Sequence, residues 1–378
     1  MAEVCERSGR PAALVRDGLI STPALTVDLE ILERNLERMA AYCREHALGL
    51  RPHTKTHKTP EVARMQIERG ACGLTVAKVG EAEVMAAAIN AEILVAYPIF
   101  GEEKLRRLAA LAKTRSILIA LDHEATAREV SRAASTQQST LGVLVEFDVG
   151  LGRCGLESGA ACVELATKVR AMPGLSFRGL MLYSGNIWGS EAERERITTQ
   201  VSEQVQRVLQ AFAEARMPVE IVSGGSTPGA FLSHRIAGLT EVRPGTYVYN
   251  DLNTYYQGVC RLEDCAARVV VTVVSTAVPG RAIIDAGSKT LSSDLLSSGP
   301  REGYGYIVDA PDAKLIKLNE EHGYLDITGS SHRFRVGEVL TVIPNHVCTC
   351  VNMHDEVFAL RDGELAGTWR VAARGKIR

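Results

Sequence analysis

A lysine lies in a short polar segment that follows a strand-like stretch near the start of the chain. The segment is Arg51-Pro52-His53-Thr54-Lys55-Thr56-His57-Lys58, and a helix-like pattern begins at Pro60. Lysine is the side chain that forms Schiff bases with carbonyl groups, most readily when it is partly desolvated. Lys55 is therefore a candidate for covalent chemistry, and the alternative interpretation is an ordinary solvated charge.

Two glycine-containing turns lie far downstream of this lysine. The first contains Gly224, Gly225, Ser226 and Thr227, and the second contains Gly245 and Thr246. Backbone N–H groups converge on such turns, and (β/α)₈ barrels commonly bind phosphate beside their seventh and eighth strands. A lysine and a phosphate cradle in one barrel suggest pyridoxal 5′-phosphate (PLP), a cofactor with both an aldehyde and a phosphate.

A histidine and a cysteine stand two residues apart in the segment Pro344-Asn345-His346-Val347-Cys348. On a strand, positions 346 and 348 face the same way, so His346 and Cys348 could bind one divalent metal. The thiolate favours zinc, with manganese or magnesium as alternatives. Two protein ligands would leave positions for water and substrate, as a Lewis acid needs. Cys350 is a weaker third candidate, and coincidence is the alternative interpretation of the pair.

A scaffold must bring these distant segments together, and the hydrophobic pattern predicts one. Strand-like segments occupy 49–55, 73–78, 92–98, 116–122, 140–148, 175–185, 220–225 and 242–249. Helix-like segments between them include 60–69, 79–89, 102–112, 158–171 and 192–215. Eight strand–helix units in roughly 200 residues predict a (β/α)₈ barrel of the α/β class. An open doubly wound sheet is the alternative, but no G-x-G-x-x-G follows the first strand.

The pattern changes after residue 255, where strand-like runs alternate with glycine, aspartate and proline and no long helix is evident. We therefore predict two domains. Residues 30–254 form the PLP-binding barrel, and residues 255–378 form an all-β domain that is joined by a strand within the N-terminal segment 1–29.

Composition narrows the function classes. The chain has 378 residues and a net charge of -2, which gives no reason to expect nucleic acid or a membrane surface as a partner. No apolar stretch approaches the length of a membrane span, so a cytoplasmic protein is expected. Nine cysteines, an odd number, indicate reduced thiols without a disulfide framework.

Taken together, these residues resemble the fold-type III PLP enzymes, the alanine racemase-like barrels, and more closely the D-threonine aldolase and D-serine dehydratase group. The resemblance extends from about Pro23 to the C-terminus. It implies that Lys55 carries PLP, that both glycine turns hold its phosphate, and that His346 and Cys348 form the metal site. Arg153, in the phrase VEFDVGLGRCG at 145–155, should lie near the PLP ring oxygen.

Two further cofactor contacts are predicted at Tyr183 and Arg243. Tyr183 begins the loop after the sixth strand. Arg243 resembles the arginine that faces the pyridine nitrogen in alanine racemases, where it would weaken the electron sink of PLP because it does not readily give up its proton. A purely structural role for Arg243 is equally open.

The resemblance implies a lyase that uses PLP and a divalent metal and acts on β-hydroxy-D-amino acids. Dehydration would give a keto acid and ammonia, whereas retro-aldol cleavage would give glycine and an aldehyde. The aldolases usually carry aspartate at the position of Cys348 and histidines in the loop at 183–189, which has none in this chain. The dehydratases carry C-G-N in that loop, close to Ser184-Gly185-Asn186. These differences favour dehydration.

Two other classes remain open. An amino-acid racemase would need a second catalytic base and no metal, and a non-catalytic PLP-handling protein would usually lack the β-domain. The group also implies a homodimer in which the β-domain of one subunit covers the barrel of the other, with a small amino acid as the substrate.

Overall fold

The computed structural model describes residues 9–297, 299 and 303–378, and the chain divides into two compact units. The barrel unit comprises Arg38–Lys55, Pro60–Gly245 and Gly375–Arg378. The β unit comprises the described residues up to Glu37, together with Thr56–Thr59 and Thr246–Arg374. The domain limits at residues 30, 254 and 255 remain predictions, and residues 1–8 of the predicted N-terminal segment lie outside the described residues.

Strands and helices alternate through the barrel unit, and strands predominate in the β unit. In chain order, the strands are β1 (Ala24–Asp28), β2 (Gly49–Leu50), β3 (Leu74–Val76), β4 (Ile93–Val95), β5 (Ile117–Leu121), β6 (Leu141–Glu146), β7 (Leu175–Met181), β8 (Ile221–Gly224), β9 (Glu241–Val242), β10 (Ala267–Ser275), β11 (Arg281–Ile284), β12 (Gly305–Ile307), β13 (Lys314–Leu318), β14 (Gly323–Asp326), β15 (Val339–Pro344), β16 (Glu356–Arg361) and β17 (Glu364–Arg370). The helices are α1 (Gly9–Arg16), α2 (Leu29–Glu45), α3 (Pro60–Glu68), α4 (Val79–Ala88), α5 (Glu102–Leu111), α6 (Glu124–Gln137), α7 (Gly159–Ala171), α8 (Glu191–Glu214), α9 (Leu252–Tyr256), α10 (Ser288–Leu291) and α11 (Val347–Val351).

The barrel unit contains an eight-stranded sheet in the order β2-β9-β8-β7-β6-β5-β4-β3, and every pairing in it is parallel. A parallel bridge between His53 and Thr75 joins the two ends of this order. The sheet is therefore closed on itself, and helices follow its strands. The predicted (β/α)₈ barrel is confirmed.

Burial of apolar strands explains why this part of the chain forms a barrel. The five residues of β5, Ile-Leu-Ile-Ala-Leu, are all buried, as are those of β3 and β4. Such strands suit a parallel sheet with both faces covered. Side chains from five strands form one interior cluster, whose members are Leu94, Leu118, Ala120, Leu144, Met181 and Ile221. Each fully buried leucine or isoleucine contributes roughly 1.5–3 kcal/mol.

The β unit contains a nine-stranded sheet that confirms the predicted all-β architecture. Six of its strands form a closed antiparallel ring, in the order β10-β11-β14-β13-β12-β15 and back to β10. The sheet continues from β10 through β1 and β16 to β17. The long strand β10, with the sequence ARVVVTVVS, takes part in both portions and is buried over most of its length.

Two predicted barrel strands are shorter than expected. The segment 49–55 contributes only the two residues of β2, and the segment 242–249 contributes only Val242, the last residue of β9. Pro52 and Pro244 lack the N–H that a regular ladder requires, so the backbone leaves the strand geometry at these points. The Arg-Pro-Gly turn therefore follows the eighth barrel strand, instead of beginning it. None of the helices among the described residues is long and apolar enough to cross a membrane.

Candidate active site

Lys55 lies on a turn just beyond the bridge that closes the barrel. The turn is fixed by backbone hydrogen bonds, because His53 N donates to Pro244 O at 2.9 Å and Thr54 N donates to Thr75 O at 2.8 Å. Lys55 N also donates to His53 Nδ1 at 3.3 Å. The side chain of Lys55 is exposed. The turn carries the lysine past the last bridged residue, and its role as the Schiff-base lysine remains a prediction.

The two predicted phosphate turns meet at the C-terminal ends of β8 and β9. Gly225 has a φ of +83°, in the left-handed region that favours glycine, and Gly224 ends β8. Gly245 N donates to Thr227 Oγ1 at 3.2 Å, which joins the second turn to the first. Ser226 and Thr227 are both buried. The barrel unit thus brings five of the six predicted phosphate residues together, and Thr246 belongs to the β unit.

A buried hydroxyl beside these turns supports a polar ligand. Ser226 Oγ donates to Ser184 O at 3.0 Å. Ser184 is completely buried, yet its Oγ has no hydrogen-bond partner among the described residues. A buried polar group left unsatisfied costs about 1–3 kcal/mol. Hydroxyl and backbone donors at a glycine turn suit a phosphate, so the residues at this end of the barrel fit PLP.

The predicted ring contacts, Arg153 and Tyr183, lie against each other. The guanidinium carbon of Arg153 is 4.6 Å from the centroid of the Tyr183 ring. Gly185 lies against the same ring, because an added Cβ there would lie 2.4 Å from Tyr183 Cε1. Gly185 and Arg153 therefore fix where the tyrosine ring lies. An aromatic ring and a cation thus lie side by side. They suit a flat ligand ring that carries a phenolate oxygen, as the ring of PLP does.

Arg243 is buried in the barrel unit, and its guanidinium already makes two hydrogen bonds there. One terminal nitrogen donates to Ser223 Oγ and the other donates to Leu182 O, each at 2.8 Å. Ser223 Oγ in turn donates to Glu241 Oε1 at 2.6 Å. Complete burial lowers the pKa of Arg243 to about 10, with Glu241 and Glu146 opposing that change. These contacts give Arg243 a structural role, and its predicted position at the pyridine nitrogen remains a prediction.

Glu146 is a buried carboxyl that the motifs did not indicate. It ends β6, only 3% of it is exposed, and its Oε2 has no hydrogen-bond partner among the described residues. Burial raises its pKa to about 7, which the positive charge of Arg243 opposes. The polar residue in the otherwise apolar run VLVEF was a usable signal. Perturbed carboxyls of this kind are enriched at functional sites.

The predicted metal pair lies in the β unit but not on a strand. Strand β15 ends at Pro344, His346 is the N-cap of helix α11, and Cys348 lies in the first turn of that helix. The expectation that the two residues face the same way along a strand is therefore wrong. Their side chains still hydrogen-bond to each other. The change of direction at the helix N-terminus brings them together.

Two aspartates anchor this turn. Asp251 is buried, and its Oδ2 accepts a hydrogen bond from Val347 N at 3.0 Å. Asp294 Oδ2 lies 2.7 Å from His346 Nδ1. Burial lowers the pKa of His346, but Cys348, Asp251 and Asp294 outweigh burial and raise that pKa to about 9. The turn is thus positioned from two distant segments of the chain.

Two hydroxyls surround the sulfur of Cys348. Thr56 Oγ1 lies 3.2 Å from Cys348 Sγ, and Thr246 Oγ1 lies 3.7 Å from it. In the sequence, Thr56 follows Lys55 and Thr246 follows Gly245. Thr246 is itself one of the predicted phosphate residues, and Thr56 is the direct chain neighbour of the predicted Schiff-base lysine.

Cys350 does not join the pair. It is completely buried, its Sγ donates to Thr290 O at 3.3 Å, and burial raises its pKa to about 12. On a helix, residues two positions apart face different directions, so the expected alignment of Cys348 and Cys350 fails. No group of three potential histidine, cysteine or carboxylate ligands occurs among the described residues. The imidazole and thiol of His346 and Cys348 are a donor set that suits zinc with open positions.

Comparison with known proteins agrees with the fold. The family described as "Alanine racemase, N-terminal domain" matches residues 27–253, and the "Putative serine dehydratase domain" matches residues 266–360. D-threonine aldolase from Arthrobacter sp is 32% identical over 363 residues, which cover 94% of this chain and 93% of that protein.

The chain belongs to the D-threonine aldolase and D-serine dehydratase family of fold-type III PLP-dependent lyases.

Two further relatives in this lyase family carry different activities in their names. D-threo-3-hydroxyaspartate dehydratase from Delftia sp. (strain HT23) is 31% identical over 373 residues, which cover 93% of this chain and 97% of that protein. The crystal structure of D-threonine aldolase from Filomicrobium marinum has a TM-score of 0.88 and 31% identity, and it covers 95% of this chain and 96% of that chain. Aldolases and dehydratases are thus about equally similar to this lyase.

Several polar residues of this lyase were not found from its sequence. Asp251 and Asp294 anchor the histidine turn, but they lie in loops with no motif that links them to His346. The hydrogen bond from His346 spans 52 residues and the one from Val347 spans 96 residues. Asp251 had one local signal, because it caps α9 through Thr254.

Proposed function

We propose that this lyase acts on β-hydroxy-D-amino acids and dehydrates them to a keto acid and ammonia. A divalent ion held by His346 and Cys348, with zinc favoured, would take part. The observation that carries the proposal is Cys348, a cysteine on an anchored turn with His346 on one side and two threonine hydroxyls at its sulfur. The resemblance associates cysteine at this position with dehydratases, and aspartate with aldolases.

PLP and a divalent ion would supply chemistry that no side chain provides. When bound, PLP would supply an acceptor for the electrons released at Cα, and a divalent ion would supply a Lewis acid for the β-hydroxyl. The residues have separate tasks. Lys55 is the amine assigned to hold the cofactor and to take the Cα proton. The turn at residues 224–227, together with Gly245, would bind the phosphate, while Arg153 and Tyr183 would bind the ring side.

Dehydration requires a leaving hydroxide, whereas cleavage requires a base that takes the hydroxyl proton. The loop after β7 contains no histidine between Tyr183 and Gly189 that could serve as such a base. It offers Ser184 Oγ and Asn186 Oδ1, both without hydrogen-bond partners among the described residues. Neutral donors and acceptors can orient a polar substrate, but they are poor bases at neutral pH. This loop supports dehydration over cleavage.

Retro-aldol cleavage is the second candidate. It is favoured by the names of two relatives, the D-threonine aldolases from Arthrobacter sp and Filomicrobium marinum. Cleavage would use the same lysine and the same metal pair, but it would break the Cα–Cβ bond. The two reactions therefore differ only in what happens after substrate binding.

The assembly and location of the lyase are also proposed. A homodimer and a cytoplasmic location are the states that the family resemblance and the composition support. Sedimentation of the purified protein would test the first, because a monomer at all concentrations would contradict it.

Product analysis tests the proposed reaction. Purified protein with PLP and zinc or manganese is incubated with D-serine, D-threonine and D-threo-3-hydroxyaspartate. A keto acid and ammonia in equal amounts are expected. Glycine and an aldehyde would establish the second candidate, and interconversion of D- and L-alanine without lyase products would establish a racemase instead.

A further inference from the structure

We propose that Asp294 is a positioning residue for the metal site. It holds His346 in the tautomer that leaves Nε2 available as a metal ligand. This inference rests on the proposed function, which assigns the ion to His346 and Cys348. Asp294 belongs to no motif in the sequence, and its carboxylate comes from a loop 52 residues before the histidine.

The contact between Asp294 and His346 determines where the imidazole proton lies. Asp294 Oδ2 is 2.7 Å from His346 Nδ1. A carboxylate oxygen accepts the hydrogen bond in such a contact, so Nδ1 is the nitrogen that donates it. In a neutral imidazole the other nitrogen, Nε2, then has a free lone pair, as a metal ligand needs.

Asp294 is itself held from three directions. Thr349 Oγ1 donates to Asp294 Oδ2 at 2.9 Å, and Asp294 N donates to Ser292 Oγ at 3.2 Å. Asn345 Nδ2 donates to the backbone oxygen of Asp294 at 3.0 Å. Because Asn345 and Thr349 flank the metal pair in the chain, the loop and the metal turn hold each other. The imidazole is therefore oriented before an ion arrives.

The second aspartate of the turn has a different task. Asp251 Oδ1 accepts from Thr254 N at 2.9 Å and its Oδ2 accepts from Val347 N at 3.0 Å. Both contacts are to backbone, so Asp251 fixes the path of the chain. Of the two aspartates, only Asp294 has a described hydrogen bond to the imidazole itself. A carboxylate in that position also raises the basicity of a histidine ligand, which strengthens its bond to the ion.

Metal affinity tests this role directly. Zinc binding is measured by competition with a chromophoric chelator for the holoenzyme and for Asp294→Asn. The asparagine has the same shape, but it carries no charge and can turn its NH₂ toward Nδ1, which would move the imidazole proton to Nε2. Zinc affinity is expected to fall roughly 10–100-fold, the usual effect of losing such an outer carboxylate. Asp294→Glu should restore part of the loss.

A matched control is available within the same unit. His332 Nε2 lies 2.6 Å from Glu338 Oε1, a second histidine–carboxylate pair of similar exposure. Glu338→Gln should leave zinc affinity unchanged, because this pair is outside the metal turn. If Asp294→Asn fails to fold, Thr349→Val is the replacement. It removes one donor to Asp294 Oδ2, and a smaller loss of affinity is expected.

Cobalt spectroscopy separates failure of the inference from failure of the proposed function. Cobalt(II) bound through Cys348 should give a thiolate charge-transfer absorption that Cys348→Ser abolishes. If the parent protein lacks that absorption, the metal assignment itself is wrong and the inference falls with it. If the parent shows it and Asp294→Asn matches the parent in both absorption and zinc affinity, the role of Asp294 alone is overturned.

Discussion

Replacement of Glu146 by glutamine should stabilise the cofactor-free protein, and the gain should depend on pH in a defined way. Burial raises the pKa of Glu146 from 4.5 to about 7, a change of about 2.5 pKa units. One unit corresponds to 1.36 kcal/mol, so ionised Glu146 costs the folded state about 3 kcal/mol. Glutamine keeps the shape without the buried charge.

Proton linkage determines whether the stability gain of Glu146→Gln rises or falls with pH. Between pH 4.5 and about 7 the folded protein holds a proton on Glu146 that the unfolded chain has released, so stability falls as pH rises. Below this pH range the Glu146 carboxyl is neutral in both the folded and the unfolded protein. Above this range the folded state bears the full cost of the ionised carboxylate. The advantage of Glu146→Gln should therefore grow from under about 1 kcal/mol at pH 5 to about 3 kcal/mol at pH 8.

Urea unfolding at pH 5 and pH 8 measures the stability advantage of Glu146→Gln. Unfolding is monitored by the helical circular dichroism signal, because helices α3–α8 belong to the barrel unit. Glu157→Gln is the control, since it makes the same exchange at an exposed position, where no burial cost arises. An advantage of Glu146→Gln that is equal at the two pH values, or larger at pH 5, would refute the argument that burial raises the pKa.

Three further predictions concern the cofactor and the metal. Lys55→Ala should abolish the visible absorbance of bound PLP. Lys78, the N-cap of α4 just after β3, is the rival lysine, and Lys78→Ala should retain that absorbance. The reverse result would move the cofactor to Lys78. EDTA should remove activity and leave the absorbance of bound PLP intact, and added zinc should restore the activity. Full activity in EDTA would rule out a role for the metal. Gly225→Ala should weaken PLP binding, because φ of +83° disfavours a side chain by about 1–2 kcal/mol and relief of that strain would move the predicted phosphate turn. Gly152→Ala, at φ +69° with open space around it, should have a similar backbone cost but unchanged PLP affinity in an equilibrium titration.

The fold could be predicted from the sequence because its signals are local. Buried parallel strands are apolar throughout, as in β5, and the helices between them have charged faces, so the alternation was visible without tertiary information. The ends of strands were harder to predict. Pairing stops where donors are lost at Pro52 and Pro244, and the effect depends on which neighbouring strand is present.

The local structure at the metal pair was predicted wrongly for a tertiary reason. Val347, Thr349 and Val351 are β-branched and suggest a strand, but they lie in the five-residue helix α11. Asp251 accepts from the first N–H of that helix, from 96 residues earlier in the chain. A hydrogen bond from so distant a residue overrides the strand propensity of the β-branched residues, and the local sequence does not indicate it. Asp294 was missed for the same reason, whereas Glu146 could have been found as a polar residue at a strand end.

The most direct test of the proposed dehydration is the fate of a deuterium at Cα. The substrate that is turned over fastest among D-serine, D-threonine and D-threo-3-hydroxyaspartate is prepared with deuterium at that carbon, and all products are quantified by mass spectrometry. Dehydration predicts one keto acid and one ammonium ion per substrate, with the deuterium lost from the carbon skeleton and no glycine. Glycine that retains the deuterium, with an equal amount of aldehyde and no ammonium, would contradict the account.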